Sequence, residues 1–472
     1  MNVLYKFISF SNNILWSYVL IFLLISLGLF FTYKTKFVQF RYFKEMFKLL
    51  SKSVSNKSEG ISSFQAFCIS TASRVGTGNL AGVAIAISLG GPGAVFWMWV
   101  IALVGGASSF VESTLAQVFK VKDTHGYRGG PAYYMEKGLN KRWLGILFSI
   151  LITICFGLVF NSVQSNTISL AFKEAFKIDT KFTGILLTAL TAIIIFGGVK
   201  RIAKVSEFIV PIMALIYIAV AAFVVVKNIT LIPHIFSLII ENAFGIKEMS
   251  GGGVGAAIMM GIKRGLFSNE AGMGSAPNAA ATAEVEHPVH QGLIQTLGVF
   301  TDTILICSCT AFIILISGAY TNQSLTGIQL TQIALSSEVG SWAKIFIAIC
   351  IFLFAYSSIL GNYYYGENNI EFISENKSLL ILYRLLVVSM VLVGALVKVQ
   401  IVWDIADLFM AFMAILNLIA ITLLSKIAFD VLKDYDIQRK NGSPLSFNPK
   451  KIDSLKGITL PYWGNEEETE IK

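Results

Sequence analysis

Charged residues are scarce in this chain. Asp, Glu, Lys and Arg make up 14% of its 472 residues, whereas soluble domains carry about 25%. Hydrophobic residues make up 55%, and the mean hydropathy is +0.69. Such a composition argues against a soluble enzyme or binding domain. It predicts an all-α polytopic membrane protein, because helices satisfy their own backbone hydrogen bonds in lipid.

Cysteine, histidine and known catalytic motifs are also rare or absent. The five cysteines all fall in apolar stretches, and an odd number of such thiols is not a disulfide framework. His287 and His290 have no Cys or carboxylate in fixed register, so they make a poor metal site. The sequence contains no H-E-x-x-H and no G-x-S-x-G, which argues against an intramembrane enzyme. We expect no cofactor.

Long hydrophobic runs, by contrast, are abundant. Because roughly 20 apolar residues cross a bilayer, hydropathy predicts eleven transmembrane helices, called spans 1 to 11 here. They cover residues 15–33, 62–90, 92–119, 143–172, 182–199, 205–226, 252–283, 293–319, 341–365, 378–398 and 402–427. Aromatic and basic residues alternate at helical spacing in 37–50, which predicts an interfacial helix.

The stretch 251–283, which contains span 7, cannot be one continuous helix. Its centre, GLFSNEAGMGSAP, holds three further breaks at glycine and one at proline, and these residues cost about 1 and about 3 kcal/mol in a helix interior. We therefore predict a helix that crosses, breaks and resumes, with a simple kink as the alternative. Two half-helix ends that face one cavity form a site for an ion or a zwitterion.

Span 2 breaks in the same way, at GTGNLAG (76–82), just after Arg74. The glycine spacing does not fit a nucleotide-binding loop, and no βαβ unit surrounds it. Since the two breaks are five spans apart, spans 2–6 and 7–11 form a 5+5 inverted repeat with two discontinuous helices. Span 1 is an extra N-terminal helix.

The predicted repeat divides the chain into four parts. Residues 1–61 hold the extra helix and the interfacial segment, 62–226 the first repeat, 252–427 the second repeat, and 428–472 a polar tail. With the N-terminus outside, the inner loops carry 25 Lys and Arg residues and the outer segments 7. The positive-inside rule therefore predicts an outer N-terminus and a cytoplasmic tail.

Three sequence blocks carry a family resemblance. GGPGAVFWMWVIALVG (90–105) resembles the signature of the alanine or glycine:cation symporters, the sodium:alanine symporter family. RVGTGNLAGVA (74–84) and KRGLFSNEAGMGSAPNAAATA (263–283) resemble two further blocks of that family.

The resemblance extends over nearly the whole chain and implies a leucine-transporter-type fold with eleven helices. It also implies import of small neutral amino acids, alanine or glycine, across the plasma membrane by alternating access, with sodium as the coupling ion. The expected partners are the amino acid, sodium and the lipid bilayer, without nucleic acid or an obligate protein partner.

Candidate substrate contacts cluster at the two breaks and on spans 4 and 9. Free N–H groups at the start of a half-helix suit a carboxylate, and capping by Asn79 is the alternative. Gln164 is an amide contact that the resemblance implies, while helix packing is the alternative for the polar residues of span 4. The candidates are Thr77, Gly78, Asn79, Asn161, Gln164, Phe267, Ser268, Asn269, Gly272, Met273 and Asn362.

A sodium site is predicted between the first break and span 9. The inner half of span 2 ends with unpaired carbonyls, and neighbouring serines in span 9 offer neutral oxygens. In transporters of the resembled fold, sodium lies between these two elements. The proposed ligands are the carbonyls of Ala72 and Val75 and the hydroxyls of Ser357 and Ser358. The alternative is that both serines bond back to carbonyls of their own helix.

Carboxylates within spans are costly, and they mark function by default. Glu270 is an alternative cation ligand, with an ion pair to Arg74 as its structural explanation. Glu112, Asp302 and Arg384 are each predicted to be paired structural or gating residues.

Two other functions stay open from the sequence. One is a proton-coupled amino-acid transporter of the same fold. The other is an ion channel, although a channel needs a continuous filter, usually repeated by subunit symmetry.

Overall fold

The structure is a computed structural model that describes residues 2–54, 61–123, 126–196, 199–246, 253–460 and 462–463. Its regular elements there are helices, apart from one antiparallel hairpin of β1 (Val121–Asp123) and β2 (Gly126–Arg128). Eight of the described helical stretches are long and apolar enough to cross a membrane. They are Tyr5–Lys34, Ala94–Val118, Arg142–Phe176, Lys204–Lys227, Val289–Ser317, Trp342–Ile373, Lys377–Leu396 and Gln400–Lys440.

The first part of the chain forms one long helical rod and two short helices. Helix α1 (Asn2–Ile14) continues through a π-helical segment into α2 (Ile21–Lys34), so this helix begins before the predicted start of span 1. Helices α3 (Val38–Arg41) and α4 (Phe43–Val54) follow. Phe43 and Phe47 leave about half of their surface exposed on α4, which agrees with the predicted amphipathic segment.

The first half of the core begins with a capped helix. Ser62 and Gln65 form a reciprocal capping box, in which each side chain accepts the other's backbone N–H. The helices of this half are α5 (Ser63–Arg74), α6 (Val83–Gly90), α7 (Ala94–Val118), α8 (Pro131–Lys137), α9 (Arg142–Ile152), α10 (Asn161–Phe176), α11 (Thr180–Ile195), α12 (Val199–Lys227) and α13 (Ile232–Ala243). π-Helical residues Thr153–Phe160 join α9 to α10 into one rod.

The second half repeats the long apolar helices. They are α14 (Val254–Asn269), α15 (Ala276–Ala280), α16 (Val289–Val299), α17 (Ser308–Ser317), α18 (Gly327–Val339), α19 (Trp342–Ile373), α20 (Lys377–Leu396) and α21 (Val399–Lys440). Residues Phe300–Cys307 form a π-helix between α16 and α17.

Three features of the helices differ from the sequence-based prediction. Helices α8, α13 and α18 lie in segments predicted to be loops, and each is shorter than a bilayer requires. Span 7 resumes only as α15, which has five residues. Helix α21 continues to Lys440, into the part predicted to be a polar tail, because its sequence carries no helix breaker before Gly442.

The end of the chain folds back onto the first half. Lys120, just after α7, is fully buried and donates to the Ala283 carbonyl (2.9 Å). Its ammonium lies 4.4, 4.3 and 5.2 Å from three ring centroids, those of Tyr127, Tyr462 and Trp463. Burial lowers the pKa of Lys120 to about 7, and the aromatic faces stabilise its charged form. We call these four side chains the lysine cage.

Candidate functional site

The first helix break lies between α5 and α6. After Arg74 the backbone at Val75 is extended (φ −81°, ψ 92°), and helical geometry returns at Thr77. The Thr77 N–H donates to Gln164 Oε1 on α10 (2.9 Å). A Cβ at Gly76 would lie 2.2 Å from Ser358 Oγ, so only glycine lets α19 approach this break.

Asn79 shapes the first break with its side chain. Its Oδ1 accepts the Gly76 N–H (2.9 Å), which is the capping alternative from the sequence. Its Nδ2 donates to Asp302 Oδ1 (2.7 Å). The side chain of Asn79 is therefore fully engaged, whereas the buried Thr77 hydroxyl has no hydrogen-bond partner in the described part of the chain.

The second break lies between α14 and α15. Glu270, Gly272 and Gly274 have left-handed backbones (φ 58°, 83° and 84°), which explains the two glycines, since a Cβ strains this conformation. Asn269 Oδ1 accepts the Ala271 N–H (3.0 Å) and so closes the first turn of the break.

Glu112 on α7 holds the second break in place. Its two carboxylate oxygens accept the N–H groups of Gly272 and Gly274, both at 3.1 Å. Asn417 on α21 donates to the same carboxylate (2.8 Å) and to the Gly272 carbonyl (2.9 Å). We call Glu112 and Asn417 the Glu112 clamp. It confirms that Glu112 is a paired structural residue.

The two breaks meet in the core. Asp302 accepts from Asn79 of the first break and from Ser268 Oγ of the second (2.8 Å). Ser73 Oγ donates to Glu270 Oε1 (2.8 Å), so the inner half of the first broken helix also contacts the second break. Asp302 is thus paired as predicted, and it joins two segments far apart in sequence.

Glu270 does not form the ion pair that its structural explanation required. Within the described residues, Arg74 makes no ion pair, and its Nη1 donates to the Gln295 carbonyl (3.2 Å). The Glu270 carboxylate instead accepts from Ser73 and Ser275. The other predicted pair is confirmed: Arg384 lies 2.8 Å from Glu367.

Asn161 and Asn362 extend this hydrogen-bond network toward α10 and α19. Asn362 Oδ1 lies 2.7 Å from Ser73 Oγ, and its Nδ2 donates to Asn161 Oδ1 (3.1 Å). Asn161 Nδ2 donates in turn to the Gly157 carbonyl (2.9 Å). Both amides therefore lie beside the two breaks, as the sequence predicts.

Three of the four predicted sodium ligands converge. Ser358 Oγ lies 2.8 Å from the Ala72 carbonyl and 3.4 Å from the Val75 carbonyl. Ser357 Oγ donates instead to the Phe354 carbonyl of its own helix (2.8 Å). The alternative from the sequence thus describes Ser357, while Ser358 faces the first break.

Stacked aromatic rings separate this centre from a cavity. Phe267 lies between Phe160 and Trp403, with ring centroids 4.6 Å apart in both contacts, and we call the three side chains the aromatic plug. Beyond Trp403 lies a cavity of about 560 Å³ between α6, α10, α14, α18 and α21. Met273 is buried on the other side of the break without a polar contact.

Every candidate residue from the sequence is buried in this region. Sequence reasoning left out Ser73, Asn417 and Trp403. Ser73 and Asn417 offered a weak signal, since each is a polar residue in an apolar helix. Nothing in the sequence marks Trp403, because a lone aromatic residue is common in such helices.

Comparison with known proteins gives consistent matches over the whole chain. The model of the sodium:alanine symporter family matches residues 1–449. The probable sodium/glutamine symporter GlnT of Bacillus subtilis is 58% identical, covering 97% of this chain and 96% of its own. The amino-acid carrier protein AlsT of the same organism is 57% identical, covering 98% of each.

More distant matches include other transporters. The sodium/alanine symporter AgcS of Methanococcus maripaludis is 40% identical, covering 91% of this chain and 97% of its own. Solved structures of two variants of the Eremococcus coleocola manganese transporter match with a TM-score of 0.48 and 13% identity, covering 78% of each chain.

Proposed function

Because this multi-pass membrane protein belongs to the sodium:alanine symporter family, we propose that it imports small neutral amino acids together with sodium. Alanine and glycine are the expected substrates, and import proceeds across the plasma membrane by alternating access. The observation that carries the proposal is the meeting of two broken helices in a buried, hydrogen-bonded centre beside an aromatic plug. Interrupted helices of this kind bind substrate and ion in secondary transporters.

The proposed architecture is the eleven-helix, leucine-transporter-type inverted repeat. One unit runs over 62–226 and opens with the first break, and the other runs over 252–427 and opens with the second. The contacts of Asn79 and Ser268 with Asp302 support it, because they bring the two opening helices together. The first 61 residues and the chain after 427 lie outside the repeat.

The proposed substrate site lies at the first break. The unpartnered Thr77 hydroxyl and the backbone N–H of Gly78 would take the carboxylate, with Gln164 as an amide contact. Asn79 fixes the geometry of the break, and Ser268 and Asn269 do so on the opposite side. Phe267, Gly272 and Met273 shape the apolar wall.

The proposal predicts saturable uptake of L-alanine that a sodium gradient stimulates in proteoliposomes. Gln164→Ala is expected to weaken alanine binding about 10- to 150-fold, since a hydrogen bond to a charged group contributes about 1.5–3 kcal/mol. The matched control is Ser165→Ala, whose hydroxyl donates to the Val391 carbonyl on α20 instead (2.6 Å).

Each result decides between specific alternatives. Uptake that ignores sodium but follows a proton gradient would identify a proton-coupled transporter, and uptake without saturation would identify a channel. Equal losses in the Gln164 and Ser165 variants would remove the proposed substrate site.

The proposed orientation has the N-terminus outside and the tail in the cytoplasm. Lys173→Cys, at the exposed end of α10, should react with an impermeant maleimide added outside cells, and Lys141→Cys, before α9, should not. The wild-type background should be low, because four of the five native cysteines are buried and Cys309 is half-buried. Labelling at residue 141 alone would reverse the orientation.

A further inference from the structure

An ion pair beside the large cavity is only half made. Arg264 Nη2 and Lys263 Nζ both contact the same oxygen of Asp407, Oδ2, at 2.6 and 2.7 Å. Asp407 Oδ1 and the Nε and Nη1 atoms of Arg264 have no hydrogen-bond partner in the described part of the chain. The Arg264 and Asp407 side chains are 4% and 1% exposed.

These unpaired atoms are unfavourable as they stand. Arginine and a carboxylate commonly pair through two parallel hydrogen bonds, and a buried donor or acceptor without a partner costs about 1–3 kcal/mol. Each member of this pair therefore keeps one unsatisfied face, a cationic face on Arg264 and an anionic face on Asp407.

The pair lines the cavity of about 560 Å³ that the aromatic plug closes from below. The Arg264 guanidinium lies 4.5 Å from the ring centroid of Trp403, the outermost ring of the plug. Small-molecule sites usually have volumes of about 300–1,000 Å³ and a few convergent polar groups. This cavity has both properties.

We infer that the cavity is a second, outer binding site for the amino-acid zwitterion. The carboxylate of the ligand accepts from Nε and Nη1 of Arg264, and its ammonium group donates to Asp407 Oδ1. The ligand thus supplies the two partners that α14 and α21 lack. The inference rests on the proposed function, because it assigns the same class of substrate to a second place.

Binding there also acts on the plug. Both side chains turn toward the cavity to meet the ligand, since their unpaired atoms are closed off from it in this structure. The guanidinium then leaves the face of Trp403, which weakens the cation–π contact that holds the ring. Occupation of the outer site therefore favours opening of the route to Thr77 and Gln164.

The test is the number of amino acids that the purified full-length protein binds at saturation. With radiolabelled L-alanine or L-glutamine in sodium, the wild type should bind two molecules per chain, and Arg264→Gln should bind one. Lys263→Gln is the matched control, because it removes a neighbouring positive charge but leaves the Arg264–Asp407 contact, and it should bind two. Gln164→Ala should leave the outer molecule and weaken the central one.

A second variant covers the case in which Arg264→Gln does not fold. Gln329→Trp fills the cavity from the exposed side of α18 without touching the buried pair, and it should also bind one molecule. One bound molecule in a wild type that shows sodium-stimulated uptake would overturn this inference alone. A wild type with neither binding nor uptake would overturn the proposed function as well. Two molecules bound to Gln329→Trp would place the second site elsewhere.

Discussion

Ser358→Ala is expected to raise the sodium concentration for half-maximal alanine uptake by about 10- to 150-fold. Its hydroxyl lies 2.8 and 3.4 Å from the carbonyls of Ala72 and Val75, at the unpaired carboxyl end of α5, where the helix dipole favours a cation. Removing the hydroxyl takes one of three converging oxygens from the proposed sodium site. The measurement is initial uptake in proteoliposomes across a range of sodium concentrations.

Ser357→Ala is the control for this experiment. The two serines are adjacent and equally buried, but Ser357 donates within its own helix. Its replacement should change the sodium dependence by less than about twofold, which corresponds to well under 1.4 kcal/mol. Equal shifts in both variants would indicate a general effect on α19, and an unchanged Ser358→Ala would move the coupling ion to Glu270.

Glu112→Ala is expected to produce the largest loss of stability. It leaves the N–H groups of Gly272 and Gly274 without partners in the core, and Asn417 loses one acceptor as well. At about 1–3 kcal/mol for each unsatisfied group, the two backbone groups alone cost about 2–6 kcal/mol. The variant should show a much lower thermal unfolding midpoint in detergent and little or no uptake.

Two further variants separate the clamp from its surroundings. Ser113→Ala changes the next residue of α7, whose buried hydroxyl has no partner in the described residues, and it should behave like the wild type. Glu112→Gln keeps one acceptor oxygen but turns the other into a donor that faces an N–H group, so its stability should be intermediate. A stable, active Glu112→Ala would show that the second break holds its shape without the clamp.

The helix breaks could be predicted because their causes are local. Glycines with positive φ at 272 and 274 disfavour helix wherever they occur in a chain, and the apolar runs on either side set the helices. Short helices such as α13 and α18 could not be found in this way, because neither reaches the length at which hydropathy identifies a span.

The partners within the site depend on contacts that sequence periodicity does not contain. Adjacent residues on a helix point about 100° apart, so only one of Ser357 and Ser358 can face the first break, and the sequence does not say which. Likewise, Asn79 and Asp302 are 223 positions apart, and only the packing of the two breaks brings them together. The carboxylates themselves were recognisable, because a charge within an apolar helix needs a partner.

The lysine cage affects where this protein can be modified. Tyr462 and Trp463 cover an ammonium group that also holds Ala283, at the end of the segment that follows the second break. A chain truncated before these rings would leave a desolvated charge without its cover, and a bulky fusion close behind them would compete with their docking. Reporter tags at the carboxyl terminus should therefore change transport kinetics, and a tag with a long flexible spacer is the better choice for expression assays.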